Sequence, residues 1–186
     1  MVQLFLDKRA YKAFIDYAAA TCDCFSLVFE KTNGKQYVCQ DVFMCIEECT
    51  ISKSSVGIHP ETHTHFSNSD MVCFVCNKQS RSVLMEAENL SYWDGNQNPA
   101  ELCFYRDQKI WFYTVSHEKT AFLVSPDERD MYFLNHRLTG CWEMRSLKQC
   151  IENHDSRTFW GAAVFLRLTP NGNESILVVY HLGVFI

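Results

Sequence analysis

The sequence predicts a mixed α+β fold with mostly antiparallel strands, and three observations carry that prediction. A stretch near the start repeats apolar residues at helical spacing. Short β-branched and aromatic runs, bounded by turn residues, fill most of the remainder. Three pairs of such runs flank short turn sequences in the manner of hairpins.

In chain order, Val2 to Leu6 is a short apolar run suited to an edge strand. Asp7 then caps a helix from Lys8 to Thr21, whose Ala10, Tyr11, Phe14, Ile15, Ala18 and Ala19 share one face. Cys24 to Glu30 is a strand by composition. Thr32-Asn33-Gly34-Lys35 holds the Asn-Gly pair of tight hairpins, and a strand returns from Tyr37 to about Met44, extending toward Thr50. Ile51 to Ser55 reads as a polar loop, and Val56 to His65 as the next strand. Ser67 or Ser69 caps a helix from about Asp70 to Lys78, followed by a short strand at Ser82 to Glu86.

Tyr92 to Pro99 is a loop, with Asp94-Gly95 and Asn98-Pro99 as turn signals. Glu101 to Arg106 and Lys109 to Ser116 form a hairpin across Asp107-Gln108, and Thr120 to Val124 adds a strand. Ser125-Pro126-Asp127-Glu128 starts a helix, with Ser125 as cap and Pro126 in the first position. A short helix is expected at Leu147 to Glu152. Phe159 to Thr169 and Glu174 to Phe185 flank Pro170-Asn171-Gly172-Asn173 as a long antiparallel hairpin. The last strand is apolar at consecutive positions through Ile176-Leu177-Val178-Val179-Tyr180, so both its faces are expected to be covered, by its own domain or by another subunit.

A chain of 186 residues fits one domain with an extension: a metal-binding domain over 1–120 and a C-terminal extension over 121–186 packed on it. The formal charge of −5 provides no basic surplus for phosphates, so no nucleic-acid partner is expected. No apolar run reaches the ~20 residues of a membrane helix, and charges at Asp7, Lys8 and Arg9 interrupt the first apolar run too early for a signal peptide. The expectation is a soluble, cytoplasmic protein. Ten cysteines in such a chain are expected to be mostly free, buried thiols rather than disulfides.

The chemistry-bearing stretch is His59 to Ser82. His63-Thr64-His65 places two imidazoles on one face of an extended strand. Asp70, beyond the turn-forming Ser67-Asn68-Ser69, can return a carboxylate to the same point. Two imidazoles and a carboxylate, with the fourth position left to water, suit one catalytic zinc ion.

The order helix, strand, hairpin, His-x-His strand, Ser-x-x-Asp helix, strand, hairpin resembles the JAMM/MPN metalloprotease family over roughly residues 7–115. His63-Thr64-His65 matches the family's histidine pair, and Ser67-Asn68-Ser69-Asp70 its Ser-x-x-Asp. Phe66 stands where the family has proline, and it alone separates His65 from Ser67. The family's glutamate position aligns with Cys24. The resemblance implies a layered, cytidine-deaminase-like α+β fold and a zinc-dependent peptidase or isopeptidase. His63, His65 and Asp70 would hold zinc, and Ser67 would assist the oxyanion. Glu61 would replace the missing glutamate as general base. The substrate would be a protein or peptide, including a ubiquitin-like modifier tail. Two alternatives stay open: an inactive JAMM-like scaffold, with Cys24 as a fourth ligand closing the site, and an unrelated α+β regulatory protein. In the scaffold reading the C-terminal third would form the partner surface, and in any reading the C-terminal hairpin offers a surface for a homo-oligomer.

Overall fold

Helix α1 (Lys8–Thr21) organises the core. The Asp7 carboxylate accepts the Ala10 N–H at 2.8 Å, satisfying one of the orphan donors of the first turn. Its buried face, Ala10, Tyr11, Phe14, Ile15 and Ala18, has the spacing read from the sequence. The computed structural model describes residues 1–32, 36–95, 97–145, 162–168 and 174–180.

The sheet beneath α1 has eight strands in the order β3-β4-β2-β5-β6-β7-β1-β8, and every neighbouring pair is antiparallel. These are β1 (Val2–Leu4), β2 (Cys24–Glu30), β3 (Thr50–Ile58), β4 (His65–Val75), β5 (Ala100–Arg106), β6 (Lys109–Val115), β7 (Thr120–Leu123) and β8 (Trp142–Met144). Strand alternation sends Phe25, Leu27 and Phe29 of β2, Val72 and Phe74 of β4, and Leu102 and Phe104 of β5 to one face. There they join residues of α1, α2 (Gln40–Ile46), α3 (Lys78–Leu84) and α4 (Glu128–Arg137) in one core. Phe14 stacks on Trp111 with ring centroids 5.7 Å apart and lies 4.6 Å from Phe112. Burying each of these rings stabilises the fold by about 2–3 kcal/mol. The opposite face carries Cys24, Ser26, Cys73, Cys103 and Tyr105, on alternate positions of β2, β4 and β5.

Several local expectations are corrected. The expected strand from Tyr37 is helix α2: a single antiparallel bridge, Lys31↔Tyr37, closes the turn, and Phe43 and Ile46 then reach the core at helical spacing. Residues 33–35 of that turn lie outside the described residues. Ile51 to Ser55, expected as a loop, lies within β3. Most of the Val56 to His65 segment is the β3–β4 connection. The expected Asp70 helix is the inner half of β4, because Asp70 pairs with Phe29 on one side and Ser55 on the other. The following helix starts instead at the Asn77 cap and takes in Ser82 to Leu84, so no strand forms there. Asp127, not Ser125, caps α4 in a reciprocal capping box with Asp130.

The chain forms two compact units, Met1–Arg145 and Ser146–Ile186. β7, α4 and β8 fall in the first of these units, with the large sheet. In the second unit, β9 (Ala162–Leu168) and β10 (Glu174–Tyr180) pair antiparallel, as the hairpin pattern predicts, with Val178 opposite Val164. The expected helix at 147–152 lies outside the described residues. Among the described residues, no helix is long and apolar enough to cross a membrane. The nine cysteines among them are free thiols, of which Cys22, Cys39, Cys49 and Cys103 are buried.

Candidate functional site

The β3–β4 connection folds over the second face of the sheet and buries a polar cluster. His59 N–H bonds to Thr64 C=O at 2.9 Å and His63 N–H to His59 C=O at 3.0 Å, closing a tight loop. His63 takes a left-handed backbone, φ 56°, to make that closure. The loop drives the His59 ring completely out of solvent. Its Nδ1 accepts from the backbone N–H groups of Glu61 (3.3 Å) and Thr62 (3.4 Å). The hydrogen-bond pattern therefore assigns the ring proton to Nε2, which lies 3.8 Å from Cys103 Sγ. Burial, with a smaller push from His63, lowers the His59 pKa to about 4.

Glu101 fastens the other side of the loop. Its Oε1 accepts from the Thr64 hydroxyl at 3.0 Å and from Ser116 N–H at 3.2 Å. Its own N–H donates to Ser116 Oγ at 2.9 Å. Thr62 and Thr64 hydroxyls meet at 2.9 Å and complete the chain of bonds. Glu101 is fully buried, holds φ 54°, and leaves Oε2 without a partner. Burial raises its carboxyl to about 7, against the opposing bonds from Thr64, Ser116 and Thr62.

A thiol beside an imidazole invites comparison with a nucleophilic dyad, and two features oppose it. Burial, aided by the Glu101 and Glu61 carboxylates, holds the Cys103 thiol well above its ordinary pKa. The His59 Nδ1 is occupied as an acceptor, so accepting a second proton there would break both backbone bonds. The cluster is built as a latch on the loop.

The sequence-predicted ligands do not meet. Asp70 is buried on the helix-bearing side of the sheet, and four groups occupy its carboxylate. Lys31 Nζ (2.8 Å) and Ser55 Oγ (3.2 Å) reach Oδ1, while Tyr37 OH (2.9 Å) and Lys53 Nζ (3.2 Å) reach Oδ2. Burial pushes its pKa up, but Lys31, Tyr37 and Lys53 outweigh that and bring it to about 2. His65 is exposed at the start of the same strand, five positions before Asp70 and so roughly 15 Å away. His63 and Glu61 are exposed on the loop, and Ser67 is exposed in β4.

Cys24 pairs with Val75 at the far end of β4, roughly 30 Å of strand from His65, and so takes no position beside the histidines. Among the described residues, no three His, Cys, Asp or Glu side chains are grouped to hold a metal. His63, His65 and Asp70 as placed do not fit a shared zinc ion.

The residues brought together, His59, Glu101 and Cys103, were not singled out by motif. Their only sequence signal is a glutamate at the head of the otherwise uncharged run Ala100-Glu101-Leu102-Cys103-Phe104-Tyr105. Comparison with family models, with curated proteins and with solved structures finds no match to this chain.

Proposed function

We propose that this chain works as a protein-interaction module that accepts an extended segment of a partner polypeptide along β3. The observation that carries this reading is the exposure of β3 at the border of the sheet: nine residues long, with no side chain fully buried. A border strand presents a row of unpaired N–H and C=O groups that another strand can use. The other border, β8, is only three residues long, which is one way of guarding an edge.

β3 carries few guards of its own. It holds no proline and a single charge, Lys53. That charge is turned onto the Asp70 carboxylate and sits 4.6 Å over the Tyr37 ring centroid, away from an incoming strand. Register irregularities fall between Thr50 and Ser52 and between Val56 and Ile58. Between them, Ser52 to Val56 runs in regular register and gives a partner strand five residues to follow. Ile51 and Ile58, 58% and 53% exposed, flank this stretch with apolar surface. Dispersed metal donors and a protonated Cys103 thiol favour binding over catalysis.

The test is selection of extended peptides from a displayed library, followed by hydrogen exchange of the complex. Slowed exchange confined to alternate amides of Ser52–Val56 is the expected result. Binders that protect other segments, or none that bind at all, would overturn the reading.

A further inference from the structure

A cleft of about 680 Å³ opens between α2, α3 and the 3-10 turn at Leu90–Trp93, on the helix side of the molecule and apart from β3. That volume lies within the range of small-ligand pockets. Two carboxylates stand on its walls, Asp41 in the first turn of α2 and Glu86 just after α3. Neither has an ion-pair partner among the described residues, and no described Lys or Arg lines the cleft. Tyr92 adds a half-buried aromatic ring, set edge-on to Trp93 at 4.9 Å. The amides of Gln97 and Asn98 supply carbonyl acceptors at the rim, and Val42 and Val83 supply apolar wall.

We propose that this cleft binds an organic cation: the guanidinium or ammonium end of a basic side chain, or a free amine of the same chemistry. Two unpaired carboxylates in one concavity focus a negative potential there. An aromatic ring beside them favours a soft, weakly hydrated cation. The apolar wall suits the alkyl stem behind such a head group. A bare metal ion is a poor match, because hard cations need a shell of close oxygens and these two carboxylates stand on separate elements. Tyr92 and Glu86 are close enough to interact: after burial itself, the Glu86 carboxylate is the largest influence raising the Tyr92 hydroxyl pKa.

The experiment titrates the full chain with argininamide and with Nα-acetylcitrullinamide, which keeps the side-chain shape and carries no charge, following backbone amide shifts by NMR. Saturable shifts at Asp41, Glu86 and Tyr92 with argininamide alone are expected, weakened about tenfold in the D41N/E86Q double variant. Both replaced carboxylates are exposed, so an unchanged melting temperature shows that the variant is folded. An arginine within a blocked tripeptide is the second arm. Tighter binding of the peptide assigns the site to a partner's side chain, and tighter binding of argininamide assigns it to a free amine. Equal response to Nα-acetylcitrullinamide, no saturable response, or full binding by the double variant would overturn the proposal. None of these outcomes bears on strand pairing at β3.

Discussion

Arg106 and Asp130 form a two-pronged ion pair, with Nη1 and Nη2 each 3.1 Å from a separate carboxylate oxygen. Trp111 Nε1 (3.0 Å) and Tyr17 OH (2.8 Å) bind the same carboxylate, and the guanidinium lies 4.6 Å over the Trp111 ring centroid. The Arg106 Nε also donates to Thr21 C=O at 3.1 Å. One carboxylate therefore ties α4 to α1, β5 and β6.

Asp130→Asn should cost up to roughly 3 kcal/mol, because it leaves a largely buried guanidinium with only the half-exposed Asp127 carboxylate, 3.6 Å away, as counter-charge. Arg106→Lys should cost less but still weaken the clamp, since an ammonium cannot make the parallel pair of bonds. Urea unfolding of the two variants measures both effects, and the asparagine variant should be the weaker.

Asp70 makes an acid-side prediction. Its folded pKa of about 2 lies below the ordinary 3.8, so its contribution is fully present above about 3.8. That contribution is lost as pH falls through 2, and it amounts to roughly 2 kcal/mol. Asp70→Asn should lose this part of the acid-side slope in urea midpoints measured from pH 6 down to 2. Chelator should leave this acid-side slope unchanged, because Lys31, Tyr37, Lys53 and Ser55 already satisfy the carboxylate.

Glu101 and His59 pull in opposite directions with pH. Glu101 is raised from 4.5 to about 7, so its contribution favours folding at low pH and turns into a penalty as pH rises through 7. His59 is lowered from 6.5 to about 4, so its contribution is present above 6.5 and lost as pH falls through 4. Between about 4.5 and 6.5 the two slopes offset each other. Glu101→Gln should remove the neutral-pH penalty and stabilise the chain at pH 8, by up to about 3 kcal/mol. Equal stability of the variant and the unaltered chain from pH 5 to 8 would contradict the assignment.

Thiol labelling should follow burial. Cys45 is exposed and should react with a maleimide first, while Cys22, Cys49 and Cys103 should react only on unfolding. Peptide mapping after a short pulse with limiting reagent reads the order directly.

Where a signal was local, the sequence was readable. The Asp7 cap and the spacing of α1 needed no partner to be recognised. The β5–β6 turn at Asp107-Gln108 has φ 51° and 61°, the left-handed pair that suits two-residue hairpin loops. Asp70 misled because Ser67-Asn68-Ser69-Asp70 has the composition of a helix cap. What places it in a central strand is remote: Lys31 is 39 positions away and Tyr37 is 33. The loop latch was invisible for the same reason, since His59 and Cys103 stand 44 positions apart. Val38 and Val42 favour a strand by propensity, and burial of Phe43 and Ile46 in α2 overrides it.

The position of β1 has a consequence for assembly. Val2 pairs with Leu123 on one side and with Met144 on the other. β1 is thus made before both of the strands that flank it, and its slot does not exist until most of this unit has been made. Loop-closure entropy over that span must be met before the contacts reward it, which places the protein among slow-folding topologies. A nascent chain halted before residue 120 would hold an apolar β1 with no strand to receive it, the kind of intermediate on which chaperones act.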